Sequence, residues 1–344
     1  MKTGSGLRNA LKRVPGLAPA YRGLRAGWQG LRARANAFAE ERRAAVVRKR
    51  HAAAVWDQIA AAGAGGERAR GWLTCSQVLL DYVFPKFGGR DWYDYVRETC
   101  CPHPRDLGLS LCCGEGAVER HMIKRQIVRA CEGVDISPQS VAVCRAAAEA
   151  EGMSTLTYRV GDVENLPLPR DTYDLVVGWM ALHHLADPGR VFARVSRALR
   201  PDGVFIVNEY IGPPRFQMPS LQAELIDEWV RKLPEELRRT ATGIIRQGFT
   251  PPTVAQVIAR DSSEAIASDR ILPELEQQFV ITERVDYGGV LLQWLLEDTA
   301  HNFDRHNPEH QAWLDRLYEA ERDILRRGLL KSDFTFIIAR PGGN

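Results

Sequence analysis

The chain has 344 residues, 45% of them hydrophobic and 26% charged, which suits a folded globular protein and excludes a disordered or collagen-like one. No apolar run approaches the roughly 20 residues a helix needs to cross a bilayer. The net charge is +3, but residues 1–50 hold thirteen Lys or Arg against Glu40 and Glu41, a net +11 that leaves −8 for the remainder. A basic arm is thus joined to an acidic body, so nucleic acid is not an expected partner of that body.

The basic start lacks an uninterrupted apolar segment and a small-residue cleavage site, so a cytoplasmic location is expected, peripheral to the inner membrane face if the arm binds lipid. Seven cysteines, among them the vicinal pairs Cys100–Cys101 and Cys112–Cys113, speak for free thiols in a reducing compartment. Cys100, Cys101, His103, Cys112 and Cys113 lack the spacing of paired zinc knuckles, and Cys112–Cys113 falls inside an expected strand. No metal site is expected there.

In chain order, Leu17, Tyr21, Leu24, Trp28 and Leu31 recur at helical spacing among arginines. Such a helix in the 1–50 arm could lie on an anionic membrane or a partner protein through residues 1–35. A helix packed on its own domain, or a frayed tail, explains the same pattern. The helix continues over 38–63, and 51–104 reads as a helical region rich in aromatics. From Leu107 strands and helices alternate, with strands at 107–113, 131–135, 155–160, 173–180 and 203–209. Helices fill the gaps at 117–127, 138–150 and 188–199, so the core at 105–213 should hold a parallel sheet with helices on both faces. A helical insertion at 214–276 follows, then strands at 278–284 and 333–339 flank two helices within 277–344.

Ser110-Leu111-Cys112-Cys113-Gly114-Glu115-Gly116 closes the first strand. Gly114 and Gly116 allow a tight turn and close approach of a ligand, although many strand–turn–helix junctions contain two glycines. Asp135 ends the second strand, where a carboxylate can accept both hydroxyls of a ribose. Asp162, followed by Val163, ends the third, where an acid can meet an adenine amino group. Three ligand-compatible features therefore fall on the rim where open α/β sheets bind ligands. A nicotinamide fingerprint would need a third glycine at Glu119, so a dinucleotide oxidoreductase is disfavoured.

This order of motifs resembles the class I S-adenosylmethionine-dependent methyltransferases over residues 105–210 and 278–340. The resemblance implies a doubly wound, Rossmann-like seven-stranded α/β sheet with its last strand antiparallel. It implies a donor held by Ser110, Cys112, Gly114, Gly116, Asp135, Ile136, Asp162, Val163 and Trp179. Two positions depart from the family: Ser110 stands where an acid is common, and Cys112 where a glycine is. Leu109–Leu111 with Glu119-Arg120, and Asn208–Pro213 followed by Arg215-Phe216-Gln217, resemble bacterial members encoded beside glycosyltransferases of surface-polysaccharide pathways. That narrower resemblance implies a glycan-type acceptor.

The sulfonium of S-adenosylmethionine is already activated, so the protein's task is to hold an acceptor lone pair on the methyl axis. A hydroxyl acceptor also needs a base. His183 and His184 follow the fourth strand and are the candidates, His184 preferred, with Glu209 next. One of the two histidines is expected to be structural. Tyr210, Arg215 and Phe216 are the candidate acceptor contacts, although Glu209 in an ion pair and Tyr210, Phe216 and Trp179 in plain packing fit equally well. The leading reading is O-methylation of a hydroxyl on a glycan or related metabolite. The alternatives are an N- or C-methyltransferase on a small molecule, and a non-catalytic adaptor that docks the fold to a membrane-associated assembly. If the arm binds lipid, the full-length chain will co-sediment with anionic vesicles at low salt and release them at high salt. Deleting residues 1–35 should abolish this binding without loss of the thermal transition.

Overall fold

The computed structural model describes residues 17–62 and 71–342 and divides the chain into two units, residues 1–50 and 51–344. Residues 17–50 are helical, the first part of α1 (Leu17–Ala62). The side chains of Leu17, Tyr21, Leu24 and Trp28 lie outside the described residues, so the expected apolar stripe is seen only at Leu31. That residue is exposed, as are Phe38, Val46 and Val47.

The second unit begins with the end of α1 and short helical turns at Trp72–Thr74, Ser76–Val78 and Leu79–Val83, followed by α2 (Trp92–Thr99). Then come β1 (Arg105–Leu111), α3 (Ala117–Lys124), β2 (Val128–Asp135), α4 (Pro138–Ala150) and β3 (Leu156–Val160). After β4 (Tyr173–Trp179) follow α5 (Pro188–Ala198) and the long β5 (Leu199–Tyr210). The insertion contributes α6 (Ser220–Lys232), α7 (Val254–Arg260) and α8 (Ile271–Gln278), with a single helical turn at Glu235–Arg238 and irregular chain between α6 and α7 rather than continuous helix. The chain closes with β6 (Phe279–Gly288), α9 (Leu292–Leu296), α10 (Pro308–Arg326) and β7 (Phe334–Pro341).

These elements begin where the sequence supplies caps. Ser137 and Asp187 each accept a backbone N–H in the first turn and precede a proline, and Thr253 and Gln256 form a reciprocal capping box. The strand expected at 107–113 lies two residues earlier, at Arg105–Leu111. Cys112 has φ of 54°, a left-handed conformation that no extended strand tolerates, so Cys112 and Cys113 belong to the loop.

The seven strands form one sheet in the order β3-β2-β1-β4-β5-β7-β6. β1 to β5 pair in parallel, whereas β7 runs antiparallel to both β5 and β6. The chain leaves β1 towards β3 and returns to β4 on the other side. That reversal opens a crevice at the carboxyl ends of β1 and β4, where such sheets bind ligands. Burial on both faces explains the unbroken apolar runs in β4 and β5. One face packs Val191, Phe192 and Val195 of α5 with Ile271 and Leu275 of α8, the other Met122, Val141 and Cys144 with the aromatics before β1.

The loop after β6 depends on one buried acid. Glu321 of α10 accepts N–H bonds from Gly289, Leu291 and Leu292 at 2.7–2.9 Å, and so positions the turn that carries Gln293, Trp294 and Glu297. Glu321→Ala would strand three buried donors, an expected loss of about 3 kcal/mol by urea unfolding. A loss under about 1 kcal/mol would show that water replaces the carboxylate there.

Candidate active site

The glycine loop joins β1 to α3 at the crevice. A Cβ on Gly114 (φ 54°) would meet nothing within 4 Å, so this turn faces open space. Gly116 has a different reason to be glycine. A Cβ there would sit 2.8 Å from the Tyr158 hydroxyl and 3.0 Å from Cys144 Sγ, so it serves packing. Asp135, at the end of β2, is buried, its Oδ2 accepting from the Gly114 N–H at 2.8 Å and its Oδ1 from the Ser137 N–H at 2.9 Å. These bonds orient the carboxylate. Ile136 next to it is half-buried. Asp162 closes its own turn, accepting from the Glu164 N–H and the Asn165 amide, and Val163 is buried behind it.

The end of α1 lies across this crevice, at contacts the sequence did not signal. Asp57 accepts from Ser137 Oγ at 2.6 Å and from the Gln139 N–H at 3.1 Å, beside Asp135. Trp56 meets His184 edge to face at 5.5 Å, and His51 Nδ1 accepts from the Ser262 N–H at 3.2 Å. Trp179, ending β4, stacks flat on Tyr93 at 5.4 Å and meets Trp92 edge on. Ser110 is buried beside Glu119, whose own burial pushes its carboxyl up to about 7.

Beyond β4 the chain turns through Met180 into a short helix, Leu182–His184. Glu209, on the neighbouring β5, is fully buried and accepts from the N–H groups of Ala181, Leu182 and Tyr210 at 2.6–2.8 Å. Its Oε1 also accepts from His183 Nδ1. With both oxygens engaged, Glu209 stands behind the histidine rather than beside an acceptor.

His183 Nε2 lies 3.4 Å from Glu264 Oε1. Burial opposes a charge on His183, but Glu209 and then Glu264 outweigh it and push its pKa up to about 10. His184 is braced differently. Ser263 Oγ donates to Asp261 Oδ1 at 2.7 Å and lies 3.0 Å from His184 Nδ1, so that nitrogen donates and Nε2 keeps its lone pair. Burial and the charge on His183 hold the His184 pKa down.

Glu264, Ser263 and Asp261 come from the insertion, about eighty residues after the histidines, and spacing offered no sign of them. Arg215 places them. Its guanidinium donates to the carbonyls of Glu264 and Ser262 at 2.8 and 2.9 Å, and its own N–H donates to Ala265. The expected acceptor contact Arg215 is thus engaged with backbone. Tyr210 and Phe216 line a cavity of about 560 Å³ together with Met180, Phe249, Trp294 and Phe334, and with the polar His183, Gln256, Arg260, Glu264, Gln293 and Glu297. The Tyr210 hydroxyl donates to the Pro213 carbonyl at 3.0 Å, leaving its ring to the cavity.

Residues 109–207 match the family model described as a methyltransferase domain. An uncharacterized methyltransferase of Bacillus subtilis (strain 168), YcgJ, is 28% identical over 120 residues, 35% of this chain and 44% of the relative. A ubiquinone biosynthesis O-methyltransferase of Cereibacter sphaeroides is 28% identical over 159 residues, 44% of this chain and 60% of the relative. The ajmaline N-methyltransferase of Rauvolfia serpentina is 28% identical over 109 residues, 31% of this chain and 37% of the relative. The chain therefore spans less than two thirds of these relatives. Among solved structures, a geranyl diphosphate methyltransferase in complex with SAM is 16% identical, covering 73% of this chain and 84% of its own, with a TM-score of 0.47. No helix among the described residues is long and apolar enough to cross a membrane. With the strand order and the glycine loop, the match places at residues 109–207 a methyltransferase domain of the class I, S-adenosylmethionine-dependent type.

Proposed function

We propose that the chain is an S-adenosylmethionine-dependent O-methyltransferase that acts on a hydroxyl of a glycan or related small metabolite. Asp135 would accept the hydroxyls of the donor's ribose, the Gly114 turn would leave room for the donor, and Asp162 would lie on the adenine side. Bound there, the donor supplies an electrophilic methyl group at the carboxyl ends of β1 and β4. The observation that carries the acceptor reading is the cavity beside His183, lined by aromatic rings together with amide, guanidinium and carboxylate groups. Such a lining suits a sugar-like molecule, whose C–H faces stack on rings while its hydroxyls bond to the polar groups.

The protein's own residues then have separable tasks. Tyr210, Phe216 and Trp294 orient the acceptor, and Arg260, Gln256 and Gln293 offer hydrogen bonds to it. The cluster of His183, His184 and Glu264 at the cavity wall promotes loss of the hydroxyl proton. Glu209 fixes the His183 ring, and the end of α1 excludes water from the crevice.

Two measurements test this reading. Calorimetry should show S-adenosylhomocysteine binding, weakened by roughly 1.5–3 kcal/mol in Asp135→Ala, the range for hydrogen bonds to a charged group. Unchanged affinity would remove Asp135 from the ribose role, and tighter binding of NAD would overturn the assignment. With monosaccharides, nucleotide sugars and phenols screened as acceptors, His184→Ala should lower kcat by about 10²–10⁴ at saturating acceptor and leave homocysteine-product affinity nearly unchanged. Transfer confined to amines, at a rate indifferent to His184, would make this an N-methyltransferase instead.

A further inference from the structure

We propose that His183, His184 and Glu264 form a divalent transition-metal site on the wall of the acceptor cavity. This deepens the O-methyltransferase reading and rests on it for the site's purpose, though not for its existence. One ligand atom from each of the three residues lies within 4.8 Å of the others. The 3.4 Å between His183 Nε2 and Glu264 Oε1 equals the ligand-to-ligand edge of a tetrahedral shell with metal–nitrogen bonds of about 2.1 Å. The residues make a two-histidine, one-carboxylate set, which leaves coordination positions open for other oxygens.

The surroundings have the arrangement that metal-binding imidazoles require. A ligating histidine donates its other ring N–H to a carboxylate or similar acceptor, which fixes its tautomer and its orientation. His183 makes that bond directly to Glu209, and His184 makes it to Ser263, which passes a hydrogen bond on to Asp261. Both braces are rigid: Glu209 is held by three backbone N–H groups, and the 262–265 turn by Arg215.

Charge balance points the same way. Three carboxylates, Glu209, Asp261 and Glu264, surround two imidazoles in a largely buried space. Among the described residues, no Lys or Arg side chain bonds to any of these three carboxylates. Without a cation the proton on His183 offsets part of this charge; a doubly charged cation that displaces that proton compensates the cluster, and two imidazole donors favour Mn, Fe, Co or Zn over Mg or Ca.

His183 and Glu264 both line the cavity, so the open positions face the acceptor. A hydroxyl oxygen bound there has its proton acidified by the cation. As that oxygen forms the new bond to the methyl carbon, the carbon–sulfur pair returns to sulfur and the hydroxyl proton passes to solvent. The metal's oxidation state does not change.

The test uses full-length protein dialysed against EDTA and then titrated with Co²⁺ alone. The expected result is one tightly bound equivalent, with visible absorption bands of low-symmetry coordination. Glu264→Gln and His184→Ala should weaken binding at least tenfold, while His306→Ala, on an exposed histidine outside the cluster, leaves it unchanged. Each variant is checked for its melting transition, and Glu264→Gln, nearly isosteric, keeps the test valid if His184→Ala fails to fold. No binding up to millimolar Co²⁺, or binding that survives Glu264→Gln, overturns the proposal. S-adenosylhomocysteine is titrated into the same dialysed protein. If it binds and Co²⁺ does not, the metal site falls alone. If Co²⁺ binds with the expected variant pattern and the homocysteine product does not, the site stands and the methyltransferase reading falls.

Discussion

Glu209 occupies a costly position for an ionised group, fully buried on a central strand, and it is held there by three backbone N–H groups and an imidazole. A carboxylate so supplied with donors is stable in a low-dielectric site, whereas the same carboxylate without them would not be. The bonds to Ala181 and Leu182 close the turn after β4, and the bond to His183 sets the ring that reaches the cavity. The geometry of the site therefore follows from where β5 places one acid relative to the end of β4.

The insertion after β5 is built around that fixed point. The left-handed Arg215 and Phe216 reverse the chain. One side chain then clamps the Asp261–Ala265 turn, while the adjacent ring enters the cavity. The Ile266 N–H donates to the His183 carbonyl, which ties the insertion to the histidine pair through backbone as well as side chains. From the other direction Glu321 holds the turn that brings Gln293 and Trp294 to the same cavity. Two buried carboxylates thus organise the two walls, each by satisfying backbone donors that would otherwise be stranded.

The glycine loop departs from the pattern of the family it resembles in ways the structure makes intelligible. Cys112 occupies a left-handed position that costs a side chain about 1–2 kcal/mol, so the loop carries strain that glycine would relieve. Ser110 lacks the acid common at its position, and the buried carboxyl of Glu119 lies beside it. The glycine that a nicotinamide fingerprint would place at 119 is replaced here by a residue with electrostatic weight.

The sequence by itself determined the architecture. Alternating apolar runs and capped helices place β1 to β5 and their helices within a few residues of where they lie, because burial on two faces and first-turn capping are local demands that leave local patterns. It also located the rim with Gly114, Asp135 and Asp162, since each follows a strand end. Its reach stopped at contacts made between distant segments. Nothing in the spacing of His183 and His184 tells that one is braced by Glu209 and the other by Ser263 and Asp261, or that Arg215 serves the backbone. The same holds for Glu264, from a turn of the insertion, and for Trp56 and Asp57, from a helix whose composition reads as ordinary surface. Side-chain pairing across eighty or more residues depends on how the insertion and the end of α1 pack over the sheet. Only the tertiary structure decides that, because many packings satisfy the same hydrophobic pattern and only one also satisfies the buried charges.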